Sequence, residues 1–306
     1  MKACYRMGIL ILFIVSVFYT DLYSQIPAFT WAQGIGGTSS EISNDITVDF
    51  TGNLYITGSF EGTVDFDAGP GVNAITSNGV FDIFILKLDA SGNLIWVRSL
   101  GGTEDDFGYS ISTDATGNCY VTGSFKSMVD FDPGIPVNVQ TSAGGDDAFI
   151  LKLDAAGNML WVRILGGIGA ASGKAIEATS SGYLYITGSF SLTNDFNPGI
   201  GTTLISSAGN SDGFICKLNQ TGNFEWAGAV GGVNSDVTLA IAVDDFGDVY
   251  STGAFSGTAD FDPGAGVANI GSAGYNDVFI TKWDASGNYI WAKNIGGLAM
   301  IWGAIY

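Results

Sequence analysis

Apolar and polar residues alternate along short segments of the chain, and glycine-containing turns separate these segments. Four of them, at residues 46–49, 54–60, 84–89 and 94–100, are rich in β-branched and aromatic residues, as half-buried strands are. Turns of the form Asp-x-x-Gly-Asn join the first two and the last two. In such a turn the Asp side chain bonds the backbone and Gly adopts a positive φ. The pattern predicts two hairpins, whose strands we name a, b, c and d.

This pattern recurs at a constant interval, which equals the spacing from Trp31 to Trp96, and no insertion or deletion interrupts it. The recurring residues are tryptophans, the first members of glycine pairs, phenylalanines and lysines: Trp31, Trp96, Trp161, Trp226, Trp291; Gly36, Gly101, Gly166, Gly231, Gly296; Phe60, Phe125, Phe190, Phe255; Lys87, Lys152, Lys217, Lys282. A fixed period of this kind is the signature of propellers and solenoids. We place repeat units at residues 37–101, 102–166, 167–231 and 232–296, with a partial unit at 297–306.

Strand d carries apolar residues on both faces, with Trp96 and Leu100 on one and Ile95 and Val97 on the other. A sheet that is apolar on both faces must be covered on both, and four-stranded antiparallel sheets stacked around an axis achieve this. We therefore predict an all-β β-propeller with four complete blades and an incomplete fifth. Its repeat domain covers residues 25–306 and opens with a lone strand d at residues 29–35. We expect both ends of this domain to be poorly latched.

A family resemblance follows from the repeated motifs. The stretch KLDASGNLIWVRSLGGTEDDFGYSISTDATGNCYVTGSF resembles the bacterial β-propeller repeat family SBBP, and the DFDPG inserts resemble those of secreted Bacteroidetes-type members. The resemblance covers nearly all of the chain after residue 24 and implies a surface or secreted β-propeller without assigning an activity. The third unit departs from the pattern, because Thr179 stands where the others have Asp49, Asp114 and Asp244. Family members also commonly run on into further repeats or a secretion domain.

The N-terminal segment, residues 1–24, has the layout of a secretory signal peptide. Lys2 and Arg6 precede an apolar run at residues 8–19, which is too short to span a bilayer comfortably. We expect cleavage after Ser24, a secreted or cell-surface protein, and no membrane span in the mature chain.

The composition excludes several partners and frameworks. The chain has 306 residues and a net charge of −19, which argues against nucleic acid and against anionic membranes as partners. Cys119 and Cys216 align with mostly apolar positions of other units, so we interpret them as core residues and expect no disulfide framework.

Each unit exceeds a typical blade by about 20 residues, and the excess lies between strands b and c, at residues 61–83 of the first unit. Long connections of this kind often carry function. Because antiparallel strands alternate in direction, these inserts and the d–a loops emerge at the same end of the sheets. We expect this acid-rich end to contact a protein or glycan partner. Its acids are Glu41, Asp65, Asp67, Asp82, Glu104, Asp105, Asp106, Asp130, Asp132, Asp147, Asp195, Asp212, Asp236, Asp260, Asp262 and Asp277.

Seven of the insert acids are candidate ligands for Ca²⁺, because carboxylates two residues apart supply hard oxygen atoms. They are Asp65, Asp67, Asp130, Asp132, Asp195, Asp260 and Asp262. Asn197 replaces the second acid in the third unit, which should bind worst. The alternative, which we favour, is a turn in which Asp caps the backbone, since the motif lacks the third alternating acid and the closing Glu of an EF-hand loop. No other cofactor is expected.

No pattern in the chain predicts an enzyme. There is no histidine to act as a general base or metal ligand, and no nucleophile elbow or phosphate-binding loop. The acids recur in every unit, whereas catalysis needs one asymmetric set of groups. We interpret the tryptophans as packing residues rather than sugar platforms, and the lysines as partners of the repeated Asp. We expect an exported, non-catalytic binding module. Two alternatives stay open: a carboxylate-dependent glycan-active enzyme, and a truncated fragment of a larger surface protein.

Overall fold

The computed structural model describes residues 30–297, and the chain divides into two units, Met1–Trp31 and Ala32–Tyr306. All regular structure in the described part of the second unit is β. The predicted signal peptide and residues 298–306 of the partial fifth unit lie outside the described residues. Within residues 30–297 no helix of a length and apolarity suited to a bilayer is found.

Each repeat folds into four antiparallel strands in the order a-b-c-d. In repeat 1 these are β2 (Glu41–Val48), β3 (Leu54–Phe60), β6 (Asp82–Leu88) and β7 (Leu94–Leu100). The same order is formed in repeat 2 by β8 (Phe107–Thr113), β9 (Cys119–Phe125), β12 (Asp147–Leu153) and β13 (Met159–Gly167); in repeat 3 by β14 (Ala171–Ala178), β15 (Tyr183–Phe190), β18 (Asp212–Asn219) and β19 (Phe224–Gly232); and in repeat 4 by β20 (Val237–Val243), β21 (Val249–Asp260), β22 (Asn269–Trp283) and β23 (Tyr289–Ile295). In repeat 1, strands b and d have the predicted bounds. Strand a begins at Glu41 rather than residue 46, because a bulge between Ser43 and Asp45 lets the pairing continue.

The hairpin turns adopt the predicted geometry. Asp49 Oδ1 accepts hydrogen bonds from the N–H groups of Thr51 and Asn53, at 2.9 and 3.0 Å. Gly52 has φ 86°, a conformation that favours glycine over residues with a Cβ. The turn geometry returns in each repeat, and in repeat 3 Thr179 and Asn219 accept the equivalent N–H groups in place of Asp.

The inserts between strands b and c, predicted as long loops, fold into second hairpins. Their strands are β4 (Thr63–Asp65) with β5 (Ala74–Thr76), β10 (Met128–Asp130) with β11 (Val139–Thr141), and β16 (Thr193–Asp195) with β17 (Leu204–Ser206), while in repeat 4 they continue β21 and β22. The hairpins of repeats 3 and 4 pair with strand d of the preceding repeat, as in Gly166↔Asp195 and Gly231↔Asp260, and therefore extend its sheet. That of repeat 1 pairs with β1 (Gly36–Gly37), and β10 and β11 form a two-stranded sheet of their own.

The recurring Gly-Gly pair is explained by close approach on both sides of strand d. A Cβ on Gly101 would overlap the carboxylate of Asp82, and a Cβ on Gly102 would overlap the carbonyl of Met128 in the next insert. Gly166 meets Asp147 in the same way. Side chains at these positions would push the insert hairpin away from the sheet it extends.

Consecutive sheets stack face to face and bury a core at each joint between repeats. In the first joint, Tyr55, Ile85 and Trp96 of repeat 1 pack with Val121 and Phe149 of repeat 2. The insert phenylalanines at the recurring position are all buried, Phe131, Phe196 and Phe261 in these joints and Phe66 in a core formed within repeat 1. Cys119 and Cys216 are buried in separate joints with free thiols. The inserts thus contribute to the core rather than standing outside it.

The lone strand predicted at residues 29–35 is not formed in residues 30–35. Only β1 (Gly36–Gly37) pairs there, with β4 of the first insert. In repeat 1 the tryptophan-bearing strand is held by strand c, through pairs such as Lys87↔Trp96. No such partner strand is described for Trp31, which is 37% exposed.

Candidate functional site

The acids predicted to line one end of the repeats separate into a buried group and an accessible group. Four buried ones lie at the first residue of strand c, or at the equivalent position within β22, and are at most 3% exposed: Asp82, Asp147, Asp212 and Asp277. Asp82 Oδ2 accepts the N–H of Asn78 at 2.9 Å. Equivalent bonds come from Ala143, Ala208 and Ala273 in the later repeats. These carboxylates fasten the end of each insert to strand c.

Two further acids, Asp106 and Asp236, are buried in the d–a loops. Asp106 accepts the N–H of Gly102 at 2.7 Å with Oδ2 and the N–H of Lys126 at 3.0 Å with Oδ1. Burial, with a smaller contribution from the nearby Asp82 charge, raises the pKa of Asp106 to about 7. Burial likewise raises the pKa of Asp212 to about 6. These groups therefore take up protons close to neutral pH.

The seven candidate calcium ligands are half-buried and cap turns. Asp65 Oδ1 accepts the N–H groups of Asp67 and Asn73 at 3.1 and 2.8 Å, and Asp67 Oδ1 accepts the N–H of Gly69 at 2.8 Å. The same bonds recur at Asp130, Asp132, Asp195, Asp260 and Asp262. Within residues 30–297, no three His, Cys, Asp or Glu side chains come together as a metal site would require. The geometry favours the turn-capping alternative, and calcium binding stays an untested hypothesis.

Four acids at the end where the d–a loops and inserts emerge have accessible carboxylates, and that of Glu104 lies 3.7 Å from Lys126 Nζ. Glu104 and Asp105 are exposed in the loop between β7 and β8, and Glu61 and Asp146 are half-exposed. The loop is held to the insert by the Asp106 N–H, which donates to the Phe81 carbonyl at 2.8 Å. We name Glu61, Glu104, Asp105 and Asp146 the acidic edge.

Three of the four repeated lysines, Lys87, Lys152 and Lys217, are buried in the joints, whereas Lys282 is half-exposed and pairs with Asp248 at 2.7 Å. Lys87 Nζ lies 4.0 Å from Asp49 Oδ2, donates to the Ala155 carbonyl of repeat 2 at 3.1 Å, and sits 4.6 Å above the Tyr55 ring. Lys152 pairs with Asp114 at 3.9 Å, so the predicted pairing with the repeated Asp is confirmed for both. Where Thr179 replaces that Asp, Lys217 lies 4.2 Å above the Tyr183 ring instead.

Two joint residues were missed by the sequence reasoning, Arg98 and Arg163. Arg98 Nε donates to the Gly157 carbonyl at 2.8 Å and Nη2 to the Ala156 carbonyl at 3.0 Å. Its guanidinium lies 5.4 Å from the centre of the Trp96 ring. Arg163 forms the same bonds with the c–d turn of repeat 3. The identical position of the two arginines within their repeats was the available signal.

The family comparison agrees with this architecture. The SBBP family model, described as a beta-propeller repeat, matches residues 30–59 and 95–124. Both matches end in strand b and include strand a of a repeat, and the second begins in strand d of the repeat before. The protein is a β-propeller repeat protein.

Two curated relatives resemble this β-propeller repeat protein over most of its length. One is the "Uncharacterized WD repeat-containing protein L264" of Acanthamoeba polyphaga mimivirus, 30% identical over 69% of the chain and 17% of the relative. The other is the "Regulatory protein FlaEY" of Caulobacter vibrioides, 26% identical over 72% of the chain and 24% of the relative. The matched part of the chain thus spans about a sixth and a quarter of these relatives.

A solved structure of a protein of unknown function from Bacteroides caccae is also similar to the β-propeller repeat protein. It is 10% identical, the match covers 83% of this chain and 82% of that chain, and the TM-score is 0.34.

Proposed function

We propose that this β-propeller repeat protein is an exported, non-catalytic binding module that contacts a protein or glycan partner through the acidic edge. The observation that carries the proposal is the division of its acids. At the end where loops and inserts emerge, the buried aspartates cap backbone N–H groups, while Glu104 and Asp105 stay exposed and Glu61 and Asp146 half-exposed.

Charge gives the acidic edge a preference among partners. The net charge of −19 attracts a basic surface over a distance set by the salt concentration and accelerates the encounter. Rim charges of this kind act mainly on the association rate and on its salt dependence. A basic polypeptide is therefore a suitable first probe.

The roles of the acids support a non-catalytic protein. A carboxylate-dependent glycosidase needs two carboxyl groups facing each other across an accessible sugar site. Here two of the acids whose pKa burial raises, Asp106 and Asp212, are bonded to the backbone. They lie inside the loops that they fasten, where a sugar ring has no access.

A pair of matched charge reversals tests the acidic edge. Asp105→Lys alters the edge, and Asp245→Lys makes the same charge change at an exposed residue of the opposite, a–b turn end. We expect Asp105→Lys to weaken binding of poly-L-lysine about two- to fivefold at low salt, and Asp245→Lys to have a smaller effect. Surface plasmon resonance across a salt series would measure both.

Equal losses in the two variants would show that only total charge matters and would overturn the acidic edge as the contact surface. Release of reducing sugar from a polysaccharide panel by the purified protein would overturn the non-catalytic assignment instead.

The export part of the proposal rests on residues 1–24. Expressing the full chain in a bacterium and sequencing the N terminus of the product outside the cytoplasm tests it. We expect the product to begin at Gln25, and retention of Met1 on a cytoplasmic product would contradict export.

A further inference from the structure

The joint between repeats 3 and 4 breaks the arginine series. Arg98 and Arg163 occupy the same position in repeats 1 and 2, and the residue at that position in repeat 3 is Gly228. The rest of this joint is built as in the first. Trp226 Nε1 donates to the Ala285 carbonyl at 3.2 Å, as Trp96 Nε1 does to Ala155 at 3.1 Å. Lys217 Nζ donates to the same Ala285 carbonyl at 2.9 Å.

The missing arginine leaves its acceptors free. In the second joint, the carbonyls of Thr221 and Gly222 accept from the Arg163 guanidinium at 3.1 and 2.9 Å. The equivalent carbonyls in the third joint belong to Ser286 and Gly287. Across residues 30–297, no side chain donates a hydrogen bond to either of them. Two adjacent backbone acceptors that hold a guanidinium elsewhere in the molecule are therefore without one here.

A groove of about 440 Å³ lies over these acceptors. It is lined by Trp226, Asp262, Pro263, Ser286, Gly287 and Tyr289, among others. Trp283 replaces a leucine of the earlier repeats and brings its ring within 3.0 Å of the place where a Cβ of residue 228 would lie. It thus fills part of the space of the arginine stem. Because Ser286 and Asn288 are exposed, solvent reaches the turn end of the groove.

The lining matches the chemistry of a guanidinium group. Planar guanidinium donates to paired oxygens and stacks on aromatic faces, above all on tryptophan. The groove offers two carbonyl oxygens, the half-buried Trp226 ring and the Asp262 carboxylate, where the groove's counterpart in the second joint has the neutral Asn197. We propose that the third joint binds the guanidinium of an arginine side chain supplied by a partner polypeptide. The site lies at the opposite end of strand d from the acidic edge, so the outcome of its test does not depend on the proposed function.

The test uses the full chain and the probe Nα-acetyl-arginine amide. Two-dimensional ¹H–¹⁵N NMR follows the indole signal of Trp226 and the amide signal of Gly287 as the probe is added. We expect saturable shifts with millimolar affinity. The neutral analogue Nα-acetyl-citrulline amide should give no saturable shift, and Nα-acetyl-lysine amide should bind more weakly because it lacks the planar fork.

Two variants locate the site. Asp262→Asn keeps the turn, since Asn197 forms the same turn in repeat 3, and should weaken probe binding about threefold. Asp132→Asn makes the same change at the first joint, where Arg98 already occupies the acceptors, and should have no effect. Gly228→Arg combined with Trp283→Leu supplies an internal guanidinium and should abolish binding.

Absence of saturable shifts, equal shifts with the citrulline probe, or equal losses in the two Asn variants would each overturn the proposal. If the double variant does not fold, the matched Asn pair decides alone.

Discussion

At the residue scale, the buried aspartates link the acid content of the chain to its turns and glycines. Asp82 and its equivalents need N–H donors because a carboxylate removed from water is costly to ionise. In Asp147, Asp212 and Asp277, Oδ1 is buried and accepts no hydrogen bond from the described residues. The same carboxylates exclude any Cβ from the glycines beside them. One recurring side chain thereby determines the residue type at another recurring position.

The buried carboxyl groups of Asp106 and Asp212 predict that the free energy of unfolding falls as the pH rises through neutrality. Burial raises the pKa of Asp106 to about 7 and of Asp212 to about 6 in the folded protein. A folded-state pKa above the unfolded value near 4 stabilises the fold at low pH, and this contribution is lost as pH rises through the folded value. We expect the melting temperature to fall by about 5 °C between pH 5.5 and pH 8.

Asp106→Asn, which mimics the protonated acid, should reduce this fall of the melting temperature with pH. A slope unchanged in that variant would contradict the assignment to Asp106. Stability should also decline at strongly acidic pH. Burial opposes ionisation of Asp49, but hydrogen bonds from Thr51 and Asn53 outweigh it and lower the pKa to about 2, so protonating Asp49 destabilises the fold.

At the element scale, the main strands could be predicted from sequence and the inserts could not. Residues 54–60 and 94–100 are rich in β-branched and aromatic residues and follow turns with a definite chemistry, so the positions at which they begin were predictable. The insert strands are very short and in repeats 3 and 4 pair across repeats, and neither property leaves a periodic signal. Asp65 and Asp67 were identified as turn formers, but the burial of Phe66 between them depends on its packing against Phe60 and Phe84 in the folded repeat. Arg98 was missed because its acceptors lie in the next repeat.

The inserts are predicted to stabilise the joints. Phe196 is fully buried, with its ring centre 5.0 Å from that of Phe190 and 4.9 Å from that of Phe214. Phe196→Ala removes these contacts and should lower the free energy of unfolding by about 3–5 kcal/mol. Denaturant unfolding measures the loss. Asn197→Asp, which restores the residue of the other repeats next to it, should change stability little. A Phe196→Ala variant as stable as the parent would show that the insert contributes nothing to the core.

At the scale of the whole molecule, charge and stacking oppose each other. Each joint buries a core between neighbouring sheets, which stabilises the fold. The net charge of −19 destabilises the fold, because like charges in neighbouring repeats repel each other. We expect the melting temperature to rise between 10 mM and 150 mM NaCl, because the screening length shortens from about 30 to about 8 Å.

Calcium at matched ionic strength separates screening from specific binding. The turn-capping geometry predicts no rise beyond that produced by NaCl. An additional rise, removed by chelator and absent in Asp65→Asn, would instead establish the calcium sites predicted from the sequence.

The insert hairpins that pair with the preceding repeat also set an order for assembly during synthesis. Strand d of repeat 2 ends at Gly167, and the hairpin that completes its edge ends only at Ser206. At a synthesis rate of about 10 residues per second, the ribosome takes about 4 s to pass from the first of these positions to the second. Throughout that delay the newest repeat presents an unpaired strand edge. Repeats 2 and 3, whose sheets the next insert extends, thus pass through an interval in which a chaperone or another strand can bind the edge that this insert later covers.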